Sequence, residues 1–136
     1  PPPPPPTTTV PQVLPAPIKT MMNAKGFETL HIPVDDLGTE PLDDFFMKAY
    51  KFITASDFDK TGTATLVHCS AGRSRSASVV IAYLMISKRV GVKDAYYEVA
   101  GKRDIQVRRG RCGVEPNTGF IKQLVRLEGM LNLGGQ

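Results

Sequence analysis

The chain has 136 residues, with 17 Lys and Arg against 13 Asp and Glu and a formal net charge of +4 at pH 7. That length holds one domain, and the charge is too mild to imply nucleic-acid binding. Two cysteines exclude a disulfide framework and suit a reducing compartment; with no apolar run of ~18 residues and no signal peptide, a cytoplasmic (or nuclear) protein without a membrane partner is expected.

The first 17 residues hold nine of the twelve prolines, opening on Pro1 to Pro6 and running into Thr7-Thr8-Thr9. Such a stretch has no apolar face to pack, so residues 1–18 are expected to form a disordered, low-complexity tail of polyproline II character. It is a candidate ligand for a proline-motif-binding partner and, more simply, a spacer. The chain opens without methionine, which suggests a fragment or a processed product.

A globular pattern starts near Ile18. Residues 28–32 read as a strand that leads into Ile32-Pro33-Val34-Asp35-Asp36. Residues 42–53 set Phe45, Phe46, Ala49, Phe52 and Ile53 at helical spacing, and that stripe reads as core packing. Asp43 and Asp44 follow Pro41 at the start of this helix, where carboxylates offset the macrodipole. Ala64-Thr65-Leu66-Val67 reads as a second, buried strand, with its clearest part at 65–67.

The run that follows is His68-Cys69-Ser70-Ala71-Gly72-Arg73-Ser74-Arg75-Ser76, and after it residues 76–88 read as a helix buried on most sides. Strand, tight loop and helix N-terminus together bind a phosphate dianion, because backbone N–H groups converge on it and the helix dipole adds to them. Residues 70–75 would form that loop. Cysteine is ordinarily a thiol at neutral pH, but a helix N-terminus, loop amides and the Arg75 cation all favour the thiolate of Cys69. Ser76 is placed to donate a hydrogen bond to the sulfur. Gly72 allows backbone angles that turn amides inward. The Arg75 guanidinium can grip two phosphate oxygens at once, a fork that lysine lacks. Arg73 adds positive charge at the mouth. His68 is expected to order the loop by hydrogen bonding and not to carry a proton itself.

Residues 93–100 read as a short helix, and residues 119–131 as a final one with Phe120, Leu124, Leu127 and Leu131 on one stripe. Between them Lys102, Arg103, Arg108, Arg109 and Arg111 fall within ten residues, opposed only by Asp104. They form either a solvated basic loop or a patch that steers acidic substrates. Cys112 is either incidental or a resolving partner for an oxidised Cys69. His31, His68 and the two cysteines do not make a zinc pattern, so neither metal nor cofactor is expected.

Four of these segments together resemble a known family. They are the loop 68–76, Ile81-Ala82-Tyr83-Leu84-Met85, Ile32-Pro33-Val34-Asp35-Asp36 and Glu115-Pro116-Asn117-Thr118-Gly119-Phe120. In that order and spacing, over about residues 27–133, they resemble the dual-specificity protein phosphatases of the cysteine-based tyrosine phosphatase superfamily. The resemblance implies an α/β, phosphotyrosine-phosphatase-like fold with a central sheet flanked by helices. It also implies a metal-free reaction on phosphorylated proteins through a phosphocysteine. Asp36 would be the general acid and then the base; Asp35 is one position off. Asn117 would brace the phosphate loop, and it is also placed to cap a helix.

Relatives carry further strands before the Ile-Pro-x-x-Asp segment. Only two strands are legible here, too few for a stable sheet alone. The expectation is therefore a catalytic domain over residues 19–136 with its N-terminal strands truncated. The same chemistry could act on a phosphoinositide, a phosphoglucan or an RNA 5′-phosphate, since Arg73 puts a second cation in the loop. A non-catalytic phosphoprotein-binding module is the alternative if the truncation disables the fold. A sulfur transferase or arsenate reductase would share the loop without explaining Asp36 or Asn117.

Overall fold

The computed structural model describes residues 26–56, 58–70, 73–102 and 113–133. The proline-rich tail, Ala71, Gly72, Arg103, Arg108, Arg109, Arg111 and Cys112 lie outside the described residues.

The aromatic stripe after Pro41 folds as a 3-10 turn, Leu42–Phe45, that passes into helix α1, Phe46–Thr54. One continuous helix was expected there. Leu42, Phe46 and Ala49 are the residues it buries. A one-turn helix α2, Phe58–Thr61, was not expected from the sequence. Four residues are too few for a periodicity to register.

Helix α3, Arg75–Lys88, is the centre of the molecule and packs against α1, α4 (Val92–Lys102) and α5 (Thr118–Met130). Its apolar positions surround it, and Ile81, Ala82 and Met85 have no exposed surface. A helix enclosed in this way is stabilised by packing on several sides rather than by one amphipathic face. It stops at Arg89, whose φ of 57° puts it in the left-handed region common just beyond helix ends. The Arg89 Nη2 then donates to Leu131 O at 2.9 Å, tying the ends of α3 and α5 together. At the start of α4, the Val92 N–H donates to Glu128 Oε1 at 2.8 Å, so α5 supplies the acceptor for the first turn of its neighbour.

The two expected strands are where sequence and structure part. Neither 28–32 nor 65–67 is paired into a strand, and there is no strand among the described residues. The alternation itself is real: Ile32 and Val34 are buried while Pro33 and Asp35 are exposed. Period-two burial makes an extended segment, but a strand also needs a neighbour to exchange N–H and C=O bonds with. Pro33 has no N–H to offer. Leu66, expected to be buried, is 58 % exposed. The central sheet of the expected fold is thus not present among the described residues. No helix there is long and apolar enough to cross a membrane.

Candidate active site

Two neighbouring residues of α3 organise the site. Ser76, in the first turn, donates its backbone N–H to Cys69 Sγ at 3.4 Å, and its hydroxyl lies 3.2 Å from the same sulfur. Cys69 is 3 % exposed and sits where the unpaired amides of the helix start are concentrated. Once the sulfur is a thiolate it can only accept, so the Ser76 hydroxyl becomes its second donor.

Arg75, the first residue of α3, reaches the other way. Its Nη2 donates to Ser70 Oγ at 3.3 Å and its Nη1 to Val34 O at 3.4 Å. Its Nε is buried and has no partner among the described residues. A buried guanidinium N–H without a partner costs free energy unless an acceptor arrives, and a phosphate oxygen is such an acceptor. Ser74 has a structural task instead: its carbonyl receives the Ser78 N–H and hydroxyl, and its own hydroxyl accepts the Asn117 N–H at 2.9 Å.

Asn117 uses its N–H and both ends of its carboxamide, besides the carbonyl that accepts the Ile121 N–H. Its backbone N–H holds Ser74 in the loop, its Oδ1 accepts the Phe120 N–H at 2.8 Å, and its Nδ2 donates to Asp36 Oδ1 at 2.8 Å. It is therefore at once the N-cap of α5 and a link between the loop and Asp36. Asp35 is turned to another use, its N–H donating to Glu40 Oε1 at 2.8 Å. Asp43, expected only to offset a helix dipole, is paired with Arg126 at 3.0 Å.

The segment that holds Asp36 lies directly on the first turn of α5. A Cβ placed on Gly119 would fall 2.1 Å from Gly38 O, so only glycine allows this approach. A buried cysteine at a helix start, an arginine bonded to the residue after it and an aspartate tied through Asn117 to Ser74 are the residue types that a cysteine-dependent phosphatase site requires. A sequence model described as "Dual specificity phosphatase, catalytic domain" matches residues 7–130. The chain belongs to the dual specificity phosphatase family.

A protein of Invertebrate iridescent virus 6 named "Putative tyrosine phosphatase 123R" is 43 % identical over 110 residues, covering 81 % of this chain and 70 % of its own. The crystal structure of human DUSP28 superposes with a TM-score of 0.65 at 33 % identity, over 76 % of this chain and 63 % of that one. The human tyrosine phosphatase-like serine/threonine/tyrosine-interacting protein gives 0.63 at 36 % identity, over 76 % and 62 %. The chain thus spans less than two thirds of the length of these two solved structures. The neighbours have the α/β dual specificity phosphatase fold.

Two residues at or near the candidate site have partners that were not read from the sequence. Glu115 pairs with Arg73 at 2.7 Å and donates its N–H to the Arg73 carbonyl at 2.9 Å. Gln123, only 5 % exposed, sits among the apolar residues of α5. A polar residue on that stripe was the available signal, since a buried carboxamide requires partners.

Burial lowers the pKa of His68 below its ordinary 6.5. Its Nδ1 is enclosed without a partner among the described residues. The imidazole is therefore neutral at physiological pH, and the hydrogen bond expected of it does not involve Nδ1 among the described residues. The folded pKa lies below the unfolded one, so the folded state binds fewer protons between the two. This contribution to stability is complete above about pH 6.5 and is lost as pH falls through the folded pKa. Replacing His68 with Gln should flatten the fall in Tm below pH 6.5; parallel Tm profiles would assign the acid sensitivity elsewhere.

Proposed function

We propose that this chain removes phosphate from phosphotyrosine and from phosphoserine or phosphothreonine in proteins, through a phosphocysteine intermediate. The observation that carries the reading is the Cys69 sulfur held between the backbone N–H and the hydroxyl of Ser76 at the start of α3, close in sequence to an Arg75 whose buried Nε has no partner among the described residues.

In this reading the Cys69 thiolate attacks phosphorus as the bond to the ester oxygen breaks, and an S–P bond forms. Asp36 gives its proton to the departing oxygen. Asn117 occupies Oδ1 of Asp36, which leaves Oδ2 as the oxygen that carries the proton. Water then attacks the phosphocysteine, Asp36 takes the proton, and the Ser76 hydroxyl stabilises the leaving thiolate. Arg75 and the backbone N–H groups at the start of α3 hold the equatorial oxygens throughout. Neither step calls for a metal.

The substrate class follows from charge. Arg73 is the residue that would favour a headgroup bearing several phosphates, and Glu115 offsets it at 2.7 Å. That pairing supports a phosphoprotein over a phosphoinositide. One solved relative is named phosphatase-like, but Cys69, Asp36 and Arg75 are all present here, which supports turnover over binding alone.

The test is hydrolysis of a panel of phosphopeptides, phosphoinositides and a phosphoglucan, with kcat/KM highest for the phosphopeptides if the reading holds. Vanadate should inhibit and chelators should not. Asp36→Asn should slow phenyl phosphate by about 100-fold or more, within the range for loss of a general acid, and a dinitrophenyl ester far less. A larger loss in Asp35→Asn would transfer the role of acid to its neighbour.

A further inference from the structure

The segment bearing Asp36 is fastened along its length, and one fastening is remote from the acid. Gln123 on α5 spends both ends of its carboxamide on this segment. Its Nε2 donates to Glu40 O at 2.8 Å and its Oε1 accepts the Asp43 N–H at 2.7 Å. These groups lie where the segment turns into the 3-10 turn Leu42–Phe45. The Glu40 carbonyl also accepts the Leu42 N–H at 2.9 Å, a bond within the segment itself. The two Gln123 bonds span 83 and 80 positions, so they tie the segment to α5 rather than to itself.

Glu40 passes the constraint towards the acid. Its backbone is held by Gln123, and its side chain accepts the N–H of Asp35, the residue before Asp36. Between these points Gly38 is seated on Gly119, and at the far end Asn117 meets the Asp36 carboxylate. Positions 36, 38 and 40–43 therefore run alongside 117, 119 and 123 in the same direction.

We infer that Gln123 is a positioning residue for the general acid: it fixes the segment of residues 35–43 against α5 so that Asp36 stands ready before substrate binds. The inference rests on the reading of Asp36 given above. Gln123 occupies a place in α5 between Phe120, Leu124 and Leu127, all buried, where an apolar side chain would pack without needing partners. The carboxamide stands there with two bonds, both to the acid-bearing segment. A displacement of about 1 Å in a catalytic group can cost on the order of 100-fold in rate. A loosened segment should therefore weaken proton donation specifically.

The experiment compares the unaltered chain with Gln123→Met, Gln123→Glu and Asp36→Asn on two aryl esters. Phenyl phosphate has a poor leaving group that needs the acid; dinitrophenyl phosphate has a good one that does not. Gln123→Met should lower kcat/KM on phenyl phosphate by about tenfold, and by less than about threefold on the dinitrophenyl ester. Gln123→Glu keeps an acceptor for Asp43 and loses the donor to Glu40, and should shift the ratio the same way. The ratio of the two rates does not depend on how much protein is folded. Equal losses on both esters, or no loss, in the Gln123 variants would overturn the inference if Asp36→Asn shows the leaving-group dependence. If Asp36→Asn lacks it too, the reading of Asp36 itself is wrong, and the role given to Gln123 falls with it.

Discussion

Cys69→Ser should reduce hydrolysis of an aryl phosphate by about 10⁵-fold or more, the scale on which removal of a nucleophile acts in other covalent enzymes. A serine hydroxyl, unlike a thiolate, needs a base to attack, and the Ser76 N–H and hydroxyl at the sulfur stabilise an anion but do not extract a proton. Cysteine needs no such base, because its thiolate forms far more readily. Arg75, the loop backbone and Asn117 are untouched by the change. Binding of a phosphotyrosine peptide, measured by calorimetry, should therefore stay within about threefold of the unaltered chain. Undiminished hydrolysis by this variant would remove Cys69 from the mechanism.

Arg75→Lys should lower kcat/KM by roughly 10³-fold, a magnitude typical of a guanidinium that stabilises charge on a transferring phosphoryl group. The loss has a geometric origin. The Arg75 side chain bonds Ser70 and the carbonyl of Val34, and its buried Nε has no partner among the described residues, so in the proposed mechanism it can turn to the substrate. An ammonium is a single point and cannot brace two segments while also presenting a planar pair of donors. Phosphate-analogue binding should weaken together with turnover, which separates this variant from Cys69→Ser. Equal turnover by the lysine variant would show that charge alone is required at this position.

The local part of the site is legible in the sequence. Cys69, Arg75 and Ser76 lie within eight consecutive positions, and Ser76 meets the Cys69 sulfur while Arg75 meets Ser70. Helices α3 and α5 are legible from periodicity and begin one residue before their expected starts. Asn117 is legible as a helix cap, and its Oδ1 makes that bond, while its N–H reaches Ser74. Its bond to Asp36 is not legible in this way, because nothing local to either residue announces it. Residues 28–32 and 65–67 show the reverse case. Their alternating composition is a local property, but the ladder that would make them strands depends on a neighbour.

Sequence by itself supplied the resemblance to the dual specificity phosphatase family: a cysteine, an arginine and a serine at the spacing that cysteine-dependent phosphate chemistry requires. Only the tertiary structure decided how Asp36 is held. Asp36 meets Asn117 across 81 positions, Gln123 meets Glu40 across 83, and Gly38 rests on Gly119 with no room for a side chain. These contacts exist because α5 packs against α3 and the 3-10 turn and so brings its polar edge to the acid-bearing segment. Hydrogen bonds of that kind are set by the placement of whole elements, which periodicity and spacing along the chain do not encode.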